Sequence, residues 1–172
     1  QNVLAHVPHP VDFLAACAAV MAPHSRLFVQ ASQCEMMREG QFDTVYHEHI
    51  SFFSAQSFLR AAQQSGLRIL EFETVPIHGI SCLLTLSLAE VSRTAPLERR
   101  LDLRRRGDRV GAPLAPSLLQ RLQLERREGT HIDFFYDQFR TRATSTRDWL
   151  VLQLQGLRRS GYHIGAYGAA AK

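Results

Sequence analysis

The stretch "SAQSFLRAAQQSGLRILEFETV", Ser54 to Val75, predicts a helix that is followed at once by a strand. Ser54 is a residue type that caps helix N-termini, and Gly66 is a residue type that ends helices. The segment "LRILEFETV" alternates apolar and polar side chains, which is typical of a strand with one buried face. Alternation of helices and strands favours a layered α/β fold, so this stretch decides the fold class.

The flanking segments extend this alternation in both directions. Downstream, "IHGISCLLTLSL" (77–88) is an apolar strand that follows a short connector with Pro76 and Gly79, which predicts an antiparallel hairpin. Upstream, the sequence predicts a strand over residues 2–7, a helix from Pro10 and a strand over 26–32. A short helix that ends at Gly40 follows. The order predicts a layered sheet whose last strand is antiparallel.

The character of the sequence changes after Ser92. Residues 95–128 are charged, rich in Leu and interrupted by Pro113 and Pro116, and residues 131–159 carry a long helical pattern. The last segment, "GYHIGAYGAAAK", predicts a strand over 162–167 that runs into a turn of small residues. We expect a chain that begins and ends inside a larger protein, with one domain over 1–90 and the start of another over 91–172.

Composition limits the class of protein. Of the 172 residues, 45% are hydrophobic and 21% are charged, which is typical of a soluble globular protein. The sequence has no apolar run long enough to span a membrane and no signal peptide. Its three cysteines have no metal-binding spacing, which favours buried thiols in a reducing compartment such as the cytoplasm. Basic residues are interleaved with acidic ones, and no nucleic-acid motif is present.

The segment "FDTVYHEHISFF", 42–53, concentrates titratable side chains. Tyr46 and Glu48 would face one side of a regular strand and His47 and His49 the other, so the four converge only if the chain bends. Histidine is the usual acid or base near neutral pH, and tyrosine can donate to a developing oxyanion. A metal site or a polar turn that caps the next helix are the alternatives, although a zinc site needs further ligands.

Other segments carry weaker signals. His6 and Asn2 lie at the first predicted strand, whose carboxyl end is where open α/β sheets bind ligands. The segment 77–81 places a glycine at the entry of a strand, where a ligand could approach the backbone. The turn "GAYGAAAK" is suited to cradle a phosphate. Each of these features is also compatible with an ordinary turn or with packing.

Taken in order, "NVLAHVP", "FDTVYHEHISFFS", "SGL", "IHGIS" and "GAYGAAAK" resemble the sugar C-methyltransferases that use S-adenosylmethionine. This family acts on nucleotide-linked ketodeoxysugars in antibiotic and surface-glycan pathways. The resemblance implies the C-terminal half of a Rossmann-like methyltransferase sheet, followed by the helical start of a second Rossmann-like domain. It also implies an N-terminal zinc-binding domain and a main cofactor loop outside this sequence, so we expect this chain alone to be inactive.

The resemblance implies a reaction and a set of site residues. A base removes the proton next to the ketone of the sugar, and the resulting enolate attacks the methyl group of the sulfonium. His49 corresponds to the base, Tyr46 and Glu48 to its active-site neighbours and His6 to a further catalytic residue, while Asn2 is assigned to the cofactor. The substrate-binding candidates are His47, His78, Gly79, Ser81, Gly165, Gly168 and Lys172.

The sequence departs from the family pattern at one position and leaves two alternative functions. The family's second glycine after the histidine of the "IHGIS" segment is replaced by Ile80, which leaves the identity of the sugar open. An O-methyltransferase of the same fold is one alternative function. A non-catalytic module of glycan biosynthesis that binds a nucleotide or a sugar is the other.

Overall fold

The structure is a computed structural model that describes residues 2–32, 35–43, 45–77, 79–89 and 113–168. These residues form an α/β fold, as the sequence predicts. The strands are β1 (Leu27–Ser32), β2 (Leu67–Val75) and β3 (Ser81–Leu88). The helices are α1 (Pro10–Val20), α2 (Glu35–Arg38), α3 (Ala55–Gln64), α4 (Pro116–Glu128) and α5 (Asp133–Arg159).

The three strands form one sheet in the order β1-β3-β2. β3 is antiparallel to both neighbours, so β1 and β2 run in the same direction on either side of it. The predicted hairpin is confirmed, because β2 and β3 are consecutive and pair from Leu67 with Leu88 to Val75 with Ser81. An irregularity between Ile69 and Glu71 shifts the register within β2.

The core lies on one face of this sheet. Alternate residues of the strands, among them Ala31, Cys82, Leu84 and Leu86, are buried there because successive side chains of a strand point to opposite faces. Leu14 of α1 and Phe58 of α3 cover the same face.

Leu118 of α4 belongs to this core as well, with no measurable exposure. Ser117, at the start of the same helix, bonds to β2, because its Oγ accepts the N–H of Phe72 at 3.1 Å. A helix from the region predicted to begin a second domain therefore packs on the sheet of the first. The division at residue 90 stays a prediction.

The strand predicted over residues 2–7 is wrong. Leu4–His6 form a 3-10 turn, closed by the N–H of His6 on the carbonyl of Val3 at 3.0 Å. The N–H of Asn2 donates one hydrogen bond to the carbonyl of Gln30 in β1. Asn2 has a φ of 55°, in the left-handed region, and the chain turns away from β1 at this residue. Pro8 has no N–H and cannot continue a strand ladder.

The strand predicted over 162–167 is also wrong, because these residues have no regular secondary structure. They are exposed, with Tyr167 fully so. A strand needs a neighbour for its backbone N–H and C=O groups, and the described residues offer none beside this segment.

The long helix predicted over 131–159 is confirmed as α5. Phe135 on its first turn is buried against Met36 and Met37 of α2, whereas Trp149 on the distal half is 61% exposed. Among the described residues, no helix combines the length and the apolar character needed to cross a membrane.

Candidate active site

The segment 45–51 bends, as the alternation of its side chains requires if they are to converge. The N–H of His49 donates to the carbonyl of Tyr46 at 3.0 Å and closes a turn. The N–H groups of Ile50 and Ser51 both donate to the carbonyl of Ala5, at 2.8 and 3.1 Å. The loop is therefore fixed by its backbone to the 3-10 turn at the start of the chain.

Tyr46 and His49 form the centre of the site. The hydroxyl of Tyr46 lies 3.1 Å from Nε2 of His49, and the two ring centroids are 4.3 Å apart. With Nε2 unprotonated the phenol donates to it, and with Nε2 protonated the phenol oxygen accepts. Both side chains are half-buried, so the pair is partly shielded from water and still reachable by a ligand.

His6 joins this pair. Its ring centroid is 4.8 Å from that of His49, at an interplanar angle of 66°. The contact follows from the backbone, because His6 comes directly after Ala5, whose carbonyl holds the loop. The 3-10 turn that replaces the predicted strand therefore brings His6 to Tyr46 and His49.

His47 and Glu48 are placed differently. Their side chains are 83% and 62% exposed, and Nε2 of His47 is 3.9 Å from a carboxylate oxygen of Glu48. The bend that turns Tyr46 and His49 towards each other leaves the two intervening side chains in solvent. The structure therefore brings Tyr46, His49 and His6 together and leaves Glu48 and His47 at the exposed side of the motif.

The structure also bears on the two alternatives to catalysis, a metal site and a polar turn that caps the next helix. Within the described ranges, no three His, Cys, Asp or Glu side chains are grouped so that they could share a metal ion. The helix cap is present: Oγ of Ser54 accepts the N–H of Ser57 at 3.1 Å, and Oγ of Ser57 accepts the N–H of Ser54 at 2.9 Å. The segment therefore both leads into a capped helix and carries the Tyr46–His49 pair.

Two of the predicted substrate-binding residues, Gly79 and Ser81, lie where β3 begins. Oγ of Ser81 donates to the carbonyl of Ile77 at 2.7 Å, and Ser81 is buried. Gly79 has a φ of 86°, a backbone conformation that favours glycine, and a Cβ there would displace the end of the Gln41 side chain. His78 lies outside the described residues.

Of the predicted phosphate turn, the structure describes Gly165 and Gly168, and its role in binding stays a prediction. Gly165 and Gly168 are exposed, and a Cβ at either would meet nothing within 4 Å. Lys172 lies outside the described residues. Asn2 is half-buried beside β1, where its N–H donates to the carbonyl of Gln30 at 3.0 Å.

A buried carboxyl group supports the helix that follows the loop. Glu125 of α4 is 3% exposed, and its oxygens accept the N–H groups of Ala55 at 2.6 Å and Gln56 at 3.3 Å. Burial raises the pKa of this carboxyl, and the two N–H donors and Arg121 oppose part of the rise.

Arg121 links Glu125 to α2. Its guanidinium is 2.6 Å from the carboxylate of Glu35 and 3.8 Å from that of Glu125, and all three side chains are buried. Arg38 of α2 pairs with Glu35 at 3.1 Å and also with Glu128 of α4. Two arginines therefore pair with three carboxyl groups between α2 and α4, and this pairing offsets part of the cost of burying the charges.

Sequence reasoning did not find Phe52 and Glu125. The Phe52 ring lies 5.8 Å from that of His49 and packs on the cluster of Met36, Met37 and Phe135. A signal for Phe52 exists, because it follows His49 by three residues in an apolar run. Glu125 has no local signal, since it is 70 residues away from the backbone that it caps.

The fold and the site define a class: an α/β protein with a hydrogen-bonded Tyr–His pair in a loop beside the sheet. Residues 1–72 match the model of a methyltransferase domain, and residues 101–172 match that of the C-methyltransferase C-terminal domain. Each match spans less than half of the chain, and together they confirm the resemblance to C-methyltransferases that the sequence motifs indicate.

One curated relative illustrates the extent of the match. The chain is 27% identical over 173 residues to the C-methyltransferase NovU of Streptomyces niveus. The alignment covers 100% of this chain and 37% of that relative, so the chain spans well under half of the relative's length.

Proposed function

We propose that the full-length protein transfers a methyl group from S-adenosylmethionine to a carbon of a nucleotide-linked ketodeoxysugar. The observation that supports this proposal is the pair formed by Tyr46 and His49, with 3.1 Å between the phenol oxygen and Nε2. Transfer of an electrophilic methyl group to carbon requires a nucleophilic carbon such as that of an enolate, and a general base next to a hydroxyl donor is suited to generate an enolate from a ketone. The match to a C-methyltransferase domain and the similarity to NovU support the same chemistry.

In this proposal His49 takes the proton from the carbon next to the ketone. The electron pair of the broken C–H bond moves towards the carbonyl, and negative charge develops on its oxygen. The hydroxyl of Tyr46, which donates to Nε2 when that nitrogen is unprotonated, then donates to that oxygen. His6, whose ring meets that of His49, holds the imidazole in orientation and faces the same space.

Glu48 has another role in the proposal. Its exposed carboxylate is too solvated to orient His49 from within the cluster, and it is well suited to accept hydrogen bonds from sugar hydroxyls. We therefore assign Glu48 to the positioning of the sugar. His47 beside it, 83% exposed, is assigned to the same exposed side.

The methyl donor fits this part of the chain incompletely. S-adenosylmethionine supplies an electrophilic methyl group when it is bound. Near Asn2, the buried Nε2 of Gln30 has no hydrogen-bond partner among the described residues and could meet a polar group of a ligand. Asn2 and Gln30 do not form a complete binding site by themselves, so the roles proposed for the residues of this chain are confined to proton transfer and to binding of the sugar.

The experiment that tests the proposal is the identification of the bond that forms. The full-length protein is incubated with a methyl donor labelled with ¹³C on the methyl group and with a ketodeoxysugar nucleotide labelled with ¹³C in the ring. We expect a one-bond carbon–carbon coupling in the NMR spectrum of the product. A methyl group attached to oxygen would instead favour an O-methyltransferase, and binding of the sugar without any product would favour a non-catalytic module.

The compartment is part of the same proposal. Cys17 and Cys82 are free thiols, and Cys82 is buried. Unpaired thiols are typical of proteins kept in a reducing environment, which supports a cytoplasmic location.

A further inference from the structure

We propose that Glu125 is a positioning residue for His49, through its hold on the first turn of α3. This inference rests on the proposed function, because it concerns the same proton transfer. Glu125 lies in the region that matches the C-methyltransferase C-terminal domain, whereas His49 lies in the region that matches the methyltransferase domain.

The contact itself is specific. The first N–H groups of a helix have no partner within the helix, and a carboxyl group satisfies them well. Both oxygens of Glu125 are used, one on Ala55 at 2.6 Å and one on Gln56 at 3.3 Å. Ser54 and Ser57 bond to each other and satisfy the remaining donors of this turn. Glu125 therefore completes a cap that the local sequence provides only in part.

The cap is connected to His49 by a short segment with little freedom. Ile50 and Ser51 are bonded to the carbonyl of Ala5, and the N–H of Phe53 donates to the carbonyl of Ser32 at 3.4 Å. The buried ring of Phe53 stacks on that of Phe58 in α3, with 4.5 Å between centroids. Ala55 is the next fixed point. A shift at the start of α3 is therefore transmitted to the loop rather than absorbed by it.

Glu125 is itself held in place from a second direction. Arg121, one turn earlier on α4, lies between Glu125 and Glu35 of α2. The next two residues of α2, Met36 and Met37, pack in the cluster that contains Phe52, and the ring of Phe52 meets that of His49. Glu125 thus connects to the loop by two routes, directly through α3 and, by way of Arg121, through α2.

A purely structural role for Glu125 would lower stability and leave the geometry of His49 unchanged in the folded protein. A positioning role predicts that the rate of proton transfer falls in folded variants. A displacement of the base by about 1 Å is enough to slow such a step by one to two orders of magnitude. The affinity for the methyl donor is not expected to change, because among the described residues the Glu125 carboxyl group bonds to backbone N–H groups of α3 and pairs with Arg121.

The test uses Glu125→Ala and Glu125→Gln in the full-length protein. Asp137→Asn is the matched control, because it also removes a carboxylate that pairs with an arginine, Arg140, but lies on the exposed side of α5. Exchange of the sugar proton next to the ketone is followed in deuterated water, below the melting temperature of every variant. We expect Glu125→Ala to slow exchange by about tenfold or more, Glu125→Gln to slow it less, because the amide oxygen still accepts a hydrogen bond, and Asp137→Asn to exchange as the wild type does.

A second measurement does not depend on activity. The ¹⁵N chemical shifts of the His49 ring report its tautomer and its bond to Tyr46, and we expect them to change in Glu125→Gln and to stay constant in Asp137→Asn. Folded Glu125 variants with wild-type exchange and unchanged His49 shifts would overturn the inference. If the wild type shows no exchange, the proposed function fails, and the His49 shifts still decide whether Glu125 positions the ring. If Glu125→Ala does not fold, Glu125→Gln decides.

Discussion

The sheet core and the candidate-site loop are built from different kinds of contact. In the core, apolar side chains at alternate positions of β1 and β3 are buried together, and each strand carries that pattern in its own sequence. The loop 45–51 has no such pattern and is fixed by backbone bonds to Ala5 and by the ring contacts of His49. The core therefore determines stability, whereas the loop depends on distant residues to arrange its chemistry.

The largest expected effect concerns two neighbouring leucines of α4. Leu118 has no measurable exposure in the sheet core, and Leu119 is 42% exposed. We expect Leu118→Ala to lower the free energy of unfolding by about 4 kcal/mol, because it leaves a cavity among well-packed neighbours. Leu119→Ala should cost less than about 1 kcal/mol. Urea unfolding of both variants measures the difference, and equal losses would contradict the packing of α4 on the sheet.

A somewhat smaller loss of stability is expected at the second cluster. Phe135 is 4% exposed against Met36 and Met37, and the adjacent Phe134 is 63% exposed. Phe135→Ala should cost about 3 kcal/mol, at the lower end for a buried phenylalanine, since the cluster is small.

Phe135→Ala also tests the difference between the sheet core and the candidate-site loop, because Phe52 lies in the same cluster and contacts His49. Among variants that are still folded, we expect it to slow proton exchange of the substrate more than Leu118→Ala does. Phe134→Ala serves as the control for both measurements. If Leu118→Ala slowed exchange more, the separation between core and loop would not hold.

The cap of α3 gives a smaller effect. Oγ of Ser54 accepts the N–H of Ser57, so Ser54→Ala should lower the free energy of unfolding by about 1 kcal/mol. Gln56→Ala, whose side chain is exposed on the same turn, is the control and should be close to neutral. Thermal unfolding followed by circular dichroism measures both, and a neutral Ser54→Ala would show that the other cap contacts suffice.

The smallest expected effect concerns the alkylation of two cysteine thiols and leaves the fold intact. Burial raises the pKa of the Cys82 thiol to about 12, so below that pH the thiol remains neutral in the folded core. Alkylation requires the thiolate, and we expect Cys82 to stay unmodified by iodoacetamide at about pH 8. Cys17, half-buried on α1, should react faster. Peptide mapping by mass spectrometry measures both sites, and rapid alkylation of Cys82 in the folded protein would contradict its burial.

Much of the fold could be predicted because it is encoded locally. The 3.6-residue pattern of α3 and the alternation in β2 and β3 each lie within one element, and the capping serine and closing glycine of α3 mark its ends. The segments over 2–7 and 162–167 have strand-like composition, and strands form only where a partner can complete the hydrogen bonds. Composition does not reveal that partner, so both predictions failed.

The candidate site was predictable in its chemistry and less so in its geometry. The residue types of "YHEH" indicate acid–base chemistry, and strand periodicity indicates that the segment bends. Which of the four side chains converge depends on the hydrogen bonds of Ile50 and Ser51 to Ala5, more than forty residues away in the chain. Glu125 is farther still, and nothing near it in sequence marks it as a cap.

The most direct test of His49 as the base is proton exchange at the substrate carbon by His49→Asn in the full-length protein. The ketodeoxysugar nucleotide is incubated in deuterated water with a methyl donor analogue that cannot transfer its methyl group. His131→Asn, an exposed histidine outside the loop, is the control. We predict that the wild type and His131→Asn exchange the proton next to the ketone and that folded His49→Asn does not. Exchange at the wild-type rate by His49→Asn would contradict the proposed role of this histidine.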